Sequence, residues 1–410
     1  MLNHFKAPPT FAGKDVEMVS ENGRLFLDNG SMDEIVVATA KDLSEWSDFG
    51  LEEGAYLVGT GSTGVAETLL TIGCAYGTLM TIAAFQYRYP REDEAAADAT
   101  DAQASSTATA TAASGAPVPA PKLTLHNVDT SVATYSKEFG LMYLGFGMAA
   151  AGAYGFIGAG KTMVGECFGP VITPAFAAGF VAAMGAGNLA GRVGWTLASD
   201  YLVTIDKGVP GLLPANQTDP FWGRRAAFTL MFMVPAPAIA LAYYCVHQPP
   251  SPIMLYGFTG SVIAVISSFG GMAAARPAFC ADLWGLKNGP GVLSARQLSV
   301  VLPASFAGPM IVSHFRQTAT QDAVADLSSQ VPDADFEAAF MAPKEDIASL
   351  VEAKTVTINR LLELLPAGTV DPTPCLYDSA LMVLSAGSLV ALGTNMLLRP
   401  VHPDKHIREE

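Results

Sequence analysis

The sequence predicts an all-α membrane protein with about seven transmembrane helices, and its composition and its uncharged runs are the two observations behind this prediction. Half of the 410 residues are hydrophobic, 15% are charged and the mean hydropathy is +0.32, whereas a soluble protein carries about 25% charged residues. Runs of about 20 apolar residues match the ~30 Å hydrocarbon core of a bilayer. The uncharged runs cover residues 68–87, 139–160, 171–191, 226–246, 253–275, 298–313 and 379–398.

Charge and residue usage exclude several classes of function. The formal net charge of −15 argues against a nucleic-acid partner, because such a partner needs a basic surface. The five cysteines are scattered, with no Cys-x-x-Cys pair and no metal-ligand spacing. The sequence shows no Ser/His/Asp set, phosphate-binding loop or cluster of metal ligands. We therefore expect no enzyme, no catalytic residues, no cofactor and no bound metal.

Residues 1–55 differ from the rest of the chain in being polar and acidic. They contain eleven Asp and Glu against four Lys and Arg, and they include no apolar segment typical of a cleavable signal peptide. We expect an acidic extramembrane tail, either solvated and partly extended or docked on a partner through short apolar clusters at 25–27 and 35–37. Residues 56–91 follow as the first transmembrane helix, which ends in aromatic residues and arginines typical of a membrane interface.

Changes in composition divide the remaining chain into four parts. Residues 92–122 form a low-complexity Ala, Thr, Ser and Pro linker. Residues 123–313 form a five-helix membrane core, and residues 314–378 form an inserted loop. Residues 379–410 contain the last transmembrane helix and a basic tail.

The inserted loop contains an apolar stripe at helical spacing. This stripe predicts an amphipathic helix that lies against the membrane or another protein, or else packs on its own bundle. The members of the stripe that are candidates for docking a partner are Ile347, Val351, Ile358 and Leu362.

The stretch from Gly187 to Asp200 ends the third uncharged run and turns abruptly polar. Small residues around Gly191 let helices approach closely in lipid, where packing drives association. Arg192 and Asp200 are expected to lie where the chain leaves the bilayer and to form an ion pair across a tight turn. Four residues of this stretch form a recognisable pattern, and they are Asn188, Gly191, Arg192 and Asp200.

A second patterned stretch, residues 267–285, closes the fifth uncharged run with small residues and ends in Arg-Pro-Ala-Phe-Cys-Ala-Asp-Leu-Trp-Gly. The first stretch resembles the Asn-x-x-Gly-Arg…Ser-Asp loop signature found in the second half of major facilitator superfamily transporters. The second resembles the Pro-Ala-Phe-x-Ala-Asp-x-Phe-Gly motif of the oxalate/formate antiporter and monocarboxylate transporter branch, with Trp284 in place of phenylalanine. The residues that carry the second motif are Arg276, Pro277, Asp282 and Gly285.

This resemblance implies a truncated C-terminal half of the major facilitator fold, from its sixth to its twelfth helix. Transporters of this fold bind substrate near the bilayer midplane, between two halves that rock against each other. The carboxylate branch typically supplies an Arg and, in the oxalate case, a Lys from the helices that correspond to runs 171–191 and 298–313. Neither run contains a cation here.

The resemblance and the missing cations together leave two hypotheses for the function. The leading hypothesis is a transport-inactive accessory subunit of a larger membrane complex, with other membrane-protein subunits and lipids as its partners. The alternative is a carboxylate transporter with a small-molecule substrate, working as a homodimer or with a separate N-terminal half. An incomplete gene model is a third interpretation, which accounts for missing helices but not for missing cations.

The distribution of Lys and Arg predicts the orientation in the membrane. If the seven runs alternate in direction, 14 of the 23 Lys and Arg lie on the side of Arg192 and the C-terminus. The other nine share the opposite side with the acidic tail and the inserted loop. The positive-inside rule makes the first side cytoplasmic or matrix-facing. We expect an integral membrane protein of the mitochondrial inner membrane, in a respiratory-chain assembly.

Overall fold

A computed structural model describes most of the chain, in two compact units. The first unit comprises Met1–Gln103 and Asp326–Ala367, and the second, called the helical unit below, comprises Ala104–Ala325 and Gly368–Glu410. The described residues are 5–14, 16–21, 24–27, 33–38, 50–86, 127–205, 208–214, 219–340, 342–352, 355–366 and 368–407. The predicted linker at 92–122 lies outside them.

Short strands occupy the segment that we expected to be a tail, and they continue to Thr63, so the segment 56–91 predicted as the first transmembrane helix is helical from Val65. A five-stranded antiparallel sheet has the order β2-β6-β5-β4-β3, and a separate pair joins β1 to β7. The strands are β1 Lys6–Ala7, β2 Phe11–Gly13, β3 Met18–Glu21, β4 Arg24–Leu27, β5 Glu34–Ala38, β6 Gly54–Leu57 and β7 Ser62–Thr63.

The sheet explains why the sparse apolar clusters of this segment still form a core. Ile35 of β5 lies opposite Leu25 on one side and Leu57 on the other. Ile35, Ala55 and Tyr56 are buried. Residues that are distant in sequence thus supply together the apolar surface that each cluster lacks alone, because cross-strand neighbours share one face of a sheet.

The helices of both units have the following bounds. They are α1 Val65–Gln86, α2 Thr130–Thr134, α3 Lys137–Phe168, α4 Pro174–Thr204, α5 Pro220–Met233, α6 Pro235–Val246, α7 Pro252–Trp284, α8 Ser294–Leu298, α9 Val301–Gln330, α10 Asp333–Phe340, α11 Ile347–Glu352, α12 Ile358–Leu364 and α13 Asp378–Leu397.

The helices confirm an all-α membrane protein with about seven membrane-spanning helices. Helix α4 is 31 residues long and contains most of the third predicted run, residues 171–191. Within the described residues, six segments are long and apolar enough to cross a membrane: Val65–Gln86, Lys137–Val171, Pro220–Val246, Pro252–Trp284, Gly289–Gln330 and Thr373–Leu397.

The starts of the long helices follow from local sequence. A polar side chain caps each of α3, α4, α5 and α7 by accepting a hydrogen bond from a backbone N–H of the first turn. Proline then occupies the first position of α4, α5 and α7, where its missing N–H costs nothing. The capping residues are Ser136, Thr173, Asp219 and Ser251.

The inserted segment departs from the sequence expectation at two places. Helix α9 continues to Gln330, so residues 314–330 are helical rather than part of a loop. The apolar stripe forms two short helices, α11 and α12, because backbone bonds to the Leu350 carbonyl close the first and Thr357 caps the second. Among the docking candidates, Ile358 is buried, whereas the other three, Ile347, Val351 and Leu362, are half-buried.

Candidate functional site

Glycines of the two motif stretches bring α4 and α7 into direct backbone contact. A Cβ atom added at Gly191 would overlap the carbonyl of Ser267, and one added at Gly270 would overlap the carbonyl of Asn188. Small residues permit this approach in lipid. Two further contacts of the same kind join Gly187 to Ile263 and Gly271 to Trp195. The small residues of both stretches are therefore used for packing between helices.

Arg224 near the start of α5 joins the ends of α4 and α7. Its Nε donates to Asp282 Oδ2 at 3.0 Å, and its Nη1 donates to Ser199 Oγ at 3.0 Å and pairs with Asp200. The side chains of Arg224 and Asp282 are only 14% and 13% exposed, whereas Asp200 is 62% exposed. This group, called the Arg224 cluster, thus connects one carboxylate from each motif through a cation from neither.

The predicted ion pair between Arg192 and Asp200 is wrong. Both residues lie in the same continuous helix, and their separation of eight residues amounts to about 12 Å along its axis. Arg192 Nε instead donates to Asn188 Oδ1 at 2.9 Å, one turn earlier. No tight turn follows Gly191 because α4 extends to Thr204.

Arg276 of the second motif is buried in the helical unit at 5% exposure. Its guanidinium lies 4.9 Å from the centroid of the Phe146 ring, a cation–π geometry. Its Nε lies 3.4 Å from Ser294 Oγ, and its Nη1 has no hydrogen-bond partner among the described residues. Pro277 lies inside α7, and Gly285 ends that helix at φ +88°, a conformation that favours glycine.

A small cavity lies beside Phe146, between α3, α5, α7 and α13. Its lining includes Phe228, Phe279 and Asn395, and its volume of about 10 Å³ has room for about one water molecule. Asn395 donates to Thr229 Oγ1 at 2.8 Å, and its Oδ1 is buried without a hydrogen-bond partner in the described part of the chain. A cavity of this size does not accommodate a carboxylate substrate.

The outer faces of α4 and α9 are apolar. Leu302, Phe306 and Met310 of α9 follow one another at four-residue spacing and are 68%, 63% and 66% exposed. Leu189 and Leu197 of α4 are also exposed to a similar extent. By the resemblance described above, these two helices are the ones expected to supply a cation to a carboxylate. The surface that they present is suited to lipid or to another membrane helix.

A second polar group lies at the opposite end of the helical unit from the Arg224 cluster. Arg316 Nε and the Tyr377 hydroxyl both donate to Glu166 Oε2, at 3.0 Å and 2.5 Å. Close to the same end, the metal-ligating atoms of His247, Cys375 and Asp378 all lie within 4.8 Å of one another.

Sequence reasoning missed these groups because their members are far apart in the chain. Arg316 and Glu166 are separated by 150 residues, and His247 and Cys375 by 128. One feature of the sequence could have pointed to Arg224, which lies in the first two turns of α5, a helix that begins with a proline.

Neither models of protein families nor the curated proteins provide a match to this chain.

Proposed function

We propose that this chain is a transport-inactive accessory subunit of a larger membrane complex, derived from the C-terminal half of a major facilitator transporter. The observation that carries the proposal is the apolar outer face of α4 and α9, in which Leu302, Phe306 and Met310 are exposed. An anion that crosses the bilayer needs compensation of its charge, since a charge at the bilayer centre costs roughly 2.5–3.5 kcal/mol on translocon scales. Apolar side chains stabilise lipid or helix contacts and supply no such compensation.

The motif residues support the same proposal, because their contacts lie within the bundle. Gly191 and Gly270 hold α4 against α7, and the Arg224 cluster holds the ends of α4, α5 and α7 together. These contacts account for the motifs as structural features that a subunit retains after transport is lost. Other membrane-protein subunits and lipids are then the partners.

Helix α1 adds surface for such partners. It exposes large apolar side chains around its circumference, and Thr68 is its buried residue. An apolar helix of 22 residues spans the hydrocarbon core, and its exposed side chains have to be covered by lipid or by other helices.

The proposed location is the mitochondrial inner membrane, within a respiratory assembly. It is supported by the asymmetry of Lys and Arg, 14 against nine, which is suited to basic loops in the matrix and acidic segments in the intermembrane space. Fractionation of mitochondria tests this location, and recovery of the chain in another membrane contradicts it.

Photo-crosslinking tests the partner surface. A photoreactive residue at Phe306 is expected to form adducts with a second protein in native membranes, because this side chain lies on the open face of α9. Met382, which is exposed on α13, is the comparison position, and a protein adduct at Phe306 that is absent at Met382 would place the partner on the face of α9. Lipid adducts alone at Phe306, with no protein adduct, argue against a partner on this face.

Topology is tested with protease. Protease applied from the side of residues 1–55 is expected to cut within that segment and within 314–378. It is expected to spare residues 92–121, because the predicted alternation of the spans puts these residues on the opposite side of the membrane. Mass spectrometry of the fragments reads out the sites. Cutting within 92–121 from the same side contradicts the arrangement.

One observation favours the alternative, a carboxylate transporter. Arg276 is a buried cation, and none of its hydrogen bonds or ion pairs within the described residues is to a carboxylate. A buried cation of this kind attracts an anion. However, Arg276 lies about 12 Å along α7 from the midpoint of that helix, whereas transporters of this fold bind substrate near the bilayer midplane.

Liposome flux separates the two functions. We expect purified protein in liposomes to show no saturable flux of lactate, pyruvate, formate or oxalate, because runs 171–191 and 298–313 contain no cation and the cavity beside Phe146 is too small for these anions. Saturable flux that is lost in Arg276→Met and retained in Arg276→Lys would instead establish the transporter.

A further inference from the structure

We propose that His247, Cys375 and Asp378 form a zinc-binding site at the end of the helical unit where α6 ends and α13 begins. His247 directly follows α6, Asp378 is the first residue of α13, and Cys375 lies in the short helical turn Thr373–Tyr377 that precedes it. His247 Nε2 lies 3.3 Å from Asp378 Oδ2 and 4.0 Å from Cys375 Sγ. The three side chains thus direct one nitrogen, one sulfur and one oxygen towards a common point.

The orientation of the imidazole supports a ligand role for His247. Its Nδ1 lies 2.9 Å from the carbonyl oxygen of Tyr243, and a carbonyl only accepts hydrogen bonds, so Nδ1 carries a proton. The Tyr243 ring packs on the imidazole, with the ring centroids 4.2 Å apart. In the neutral ring, the lone pair of Nε2 then points at a carboxylate and a sulfur. A backbone carbonyl that fixes the other nitrogen is the usual support of a metal-bound histidine.

Asp378 supplies a second, independent observation. Its Oδ1 atom is buried and has no hydrogen-bond partner among the described residues, and a buried carboxylate oxygen without a donor is unfavourable. Arg316, the nearby cation, is engaged by Glu166 and Tyr377. Asp371 adds a further negative charge near Cys375. A bound cation compensates these charges.

The donor set favours zinc over magnesium and calcium. Zinc takes nitrogen, sulfur and oxygen ligands at about 2.0–2.3 Å, which places neighbouring tetrahedral ligands roughly 3.3–3.8 Å apart. Magnesium and calcium prefer oxygen alone. Three protein ligands leave a fourth position for water, and Cys375 is exposed, so an ion can enter from the surface.

Zinc stoichiometry tests the site. The full chain, purified in detergent without a polyhistidine tag, is equilibrated with Zn²⁺, and bound zinc is measured by mass spectrometry after excess ion is removed. We expect one zinc per chain, and at least about ten-fold weaker binding in His247→Gln, Cys375→Ala and Asp378→Asn.

His402→Gln is a matched control, because His402 pairs with Asp404 at 3.1 Å elsewhere. Cys74→Ala removes another exposed thiol. Both controls should bind zinc like the unmodified chain.

Two further readouts keep the proposal open to refutation if a variant does not fold. Zn²⁺ should protect Cys375 of the unmodified chain from maleimide alkylation, and this protection should be lost in Asp378→Asn. Co²⁺ in place of zinc should give a thiolate-to-metal charge-transfer band that Cys375→Ala abolishes. The proposal is overturned if the unmodified chain binds no stoichiometric zinc, or if zinc leaves Cys375 fully reactive. The three groups then form a histidine–carboxylate ion pair beside a free thiol.

Discussion

A Gly191→Ala variant is expected to lose most of its folded protein. The added Cβ would overlap the carbonyl of Ser267, and a backbone group cannot rotate away as a side chain does. Helices α4 and α7 must therefore separate, which also opens the contact between Gly270 and Asn188. Overpacking of this kind costs about 1–3 kcal/mol of unfolding free energy. Monodisperse yield and thermal unfolding in detergent measure the effect.

Gly194→Ala is the matched control for this change. Gly194 lies in the same helix three residues later, and a Cβ atom there would meet open space. Because alanine is favoured over glycine inside helices by about 1 kcal/mol, this variant should be as stable as the unmodified chain or more so. Equal losses in both variants, or no loss in Gly191→Ala, would contradict the close contact.

The membrane helices were predictable because hydrocarbon thickness and local capping both act on consecutive residues. Each uncharged run lies within or overlaps a helix of the structure, and Ser136, Thr173, Asp219 and Ser251 cap the starts of four helices. The interruption at Pro235 was also predictable, because proline lacks the backbone N–H that continues a helix. In the structure, α5 ends at Met233 and α6 begins at Pro235.

The ends of the helices were less predictable, since apolar composition indicates only the part of a helix that is in hydrocarbon. Helix α4 continues past its uncharged run to Thr204, and α9 continues to Gln330. The extension of α4 is the reason for the wrong pairing of Arg192 with Asp200. A charged residue at the end of an apolar run therefore marks a membrane boundary rather than a turn.

The N-terminal sheet escaped the sequence analysis for a different reason. Its strands are two to five residues long, and none of them carries a core by itself. Ile35 becomes buried only because Leu25 and Leu57 pair beside it. Such cross-strand burial depends on register, which composition and short apolar clusters do not contain.

The candidate site shows the same limit. The motifs identified Asp200 and Asp282, but the cation between them is Arg224, which lies in neither stretch. The ligand atoms of His247, Cys375 and Asp378 likewise converge from separate segments. A single sequence shows which residue types occur and how they are spaced, and the packing of helices decides which of them meet.

Arg224→Met is expected to have the second large effect, because it removes the guanidinium from beside a buried carboxylate. Asp282 is 13% exposed, and breaking a buried ion pair by removing one partner costs about 3–5 kcal/mol. Asp200, which is 62% exposed, contributes far less, so Asp200→Asn should change stability only slightly. Thermal unfolding in detergent should show a large fall for Arg224→Met and a small one for Asp200→Asn.

A second substitution tests whether the buried charge of Asp282 is the cause of that fall. Adding Asp282→Asn to Arg224→Met removes the uncompensated charge and should restore part of the lost stability. Arg192→Ala serves as a control, because Arg192 is exposed and donates to Asn188, so its loss should cost no more than about 0.5 kcal/mol. If the double variant is no more stable than Arg224→Met, the cluster does not act through the buried carboxylate. If Arg192→Ala is as damaging as Arg224→Met, the first motif acts through Arg192 after all.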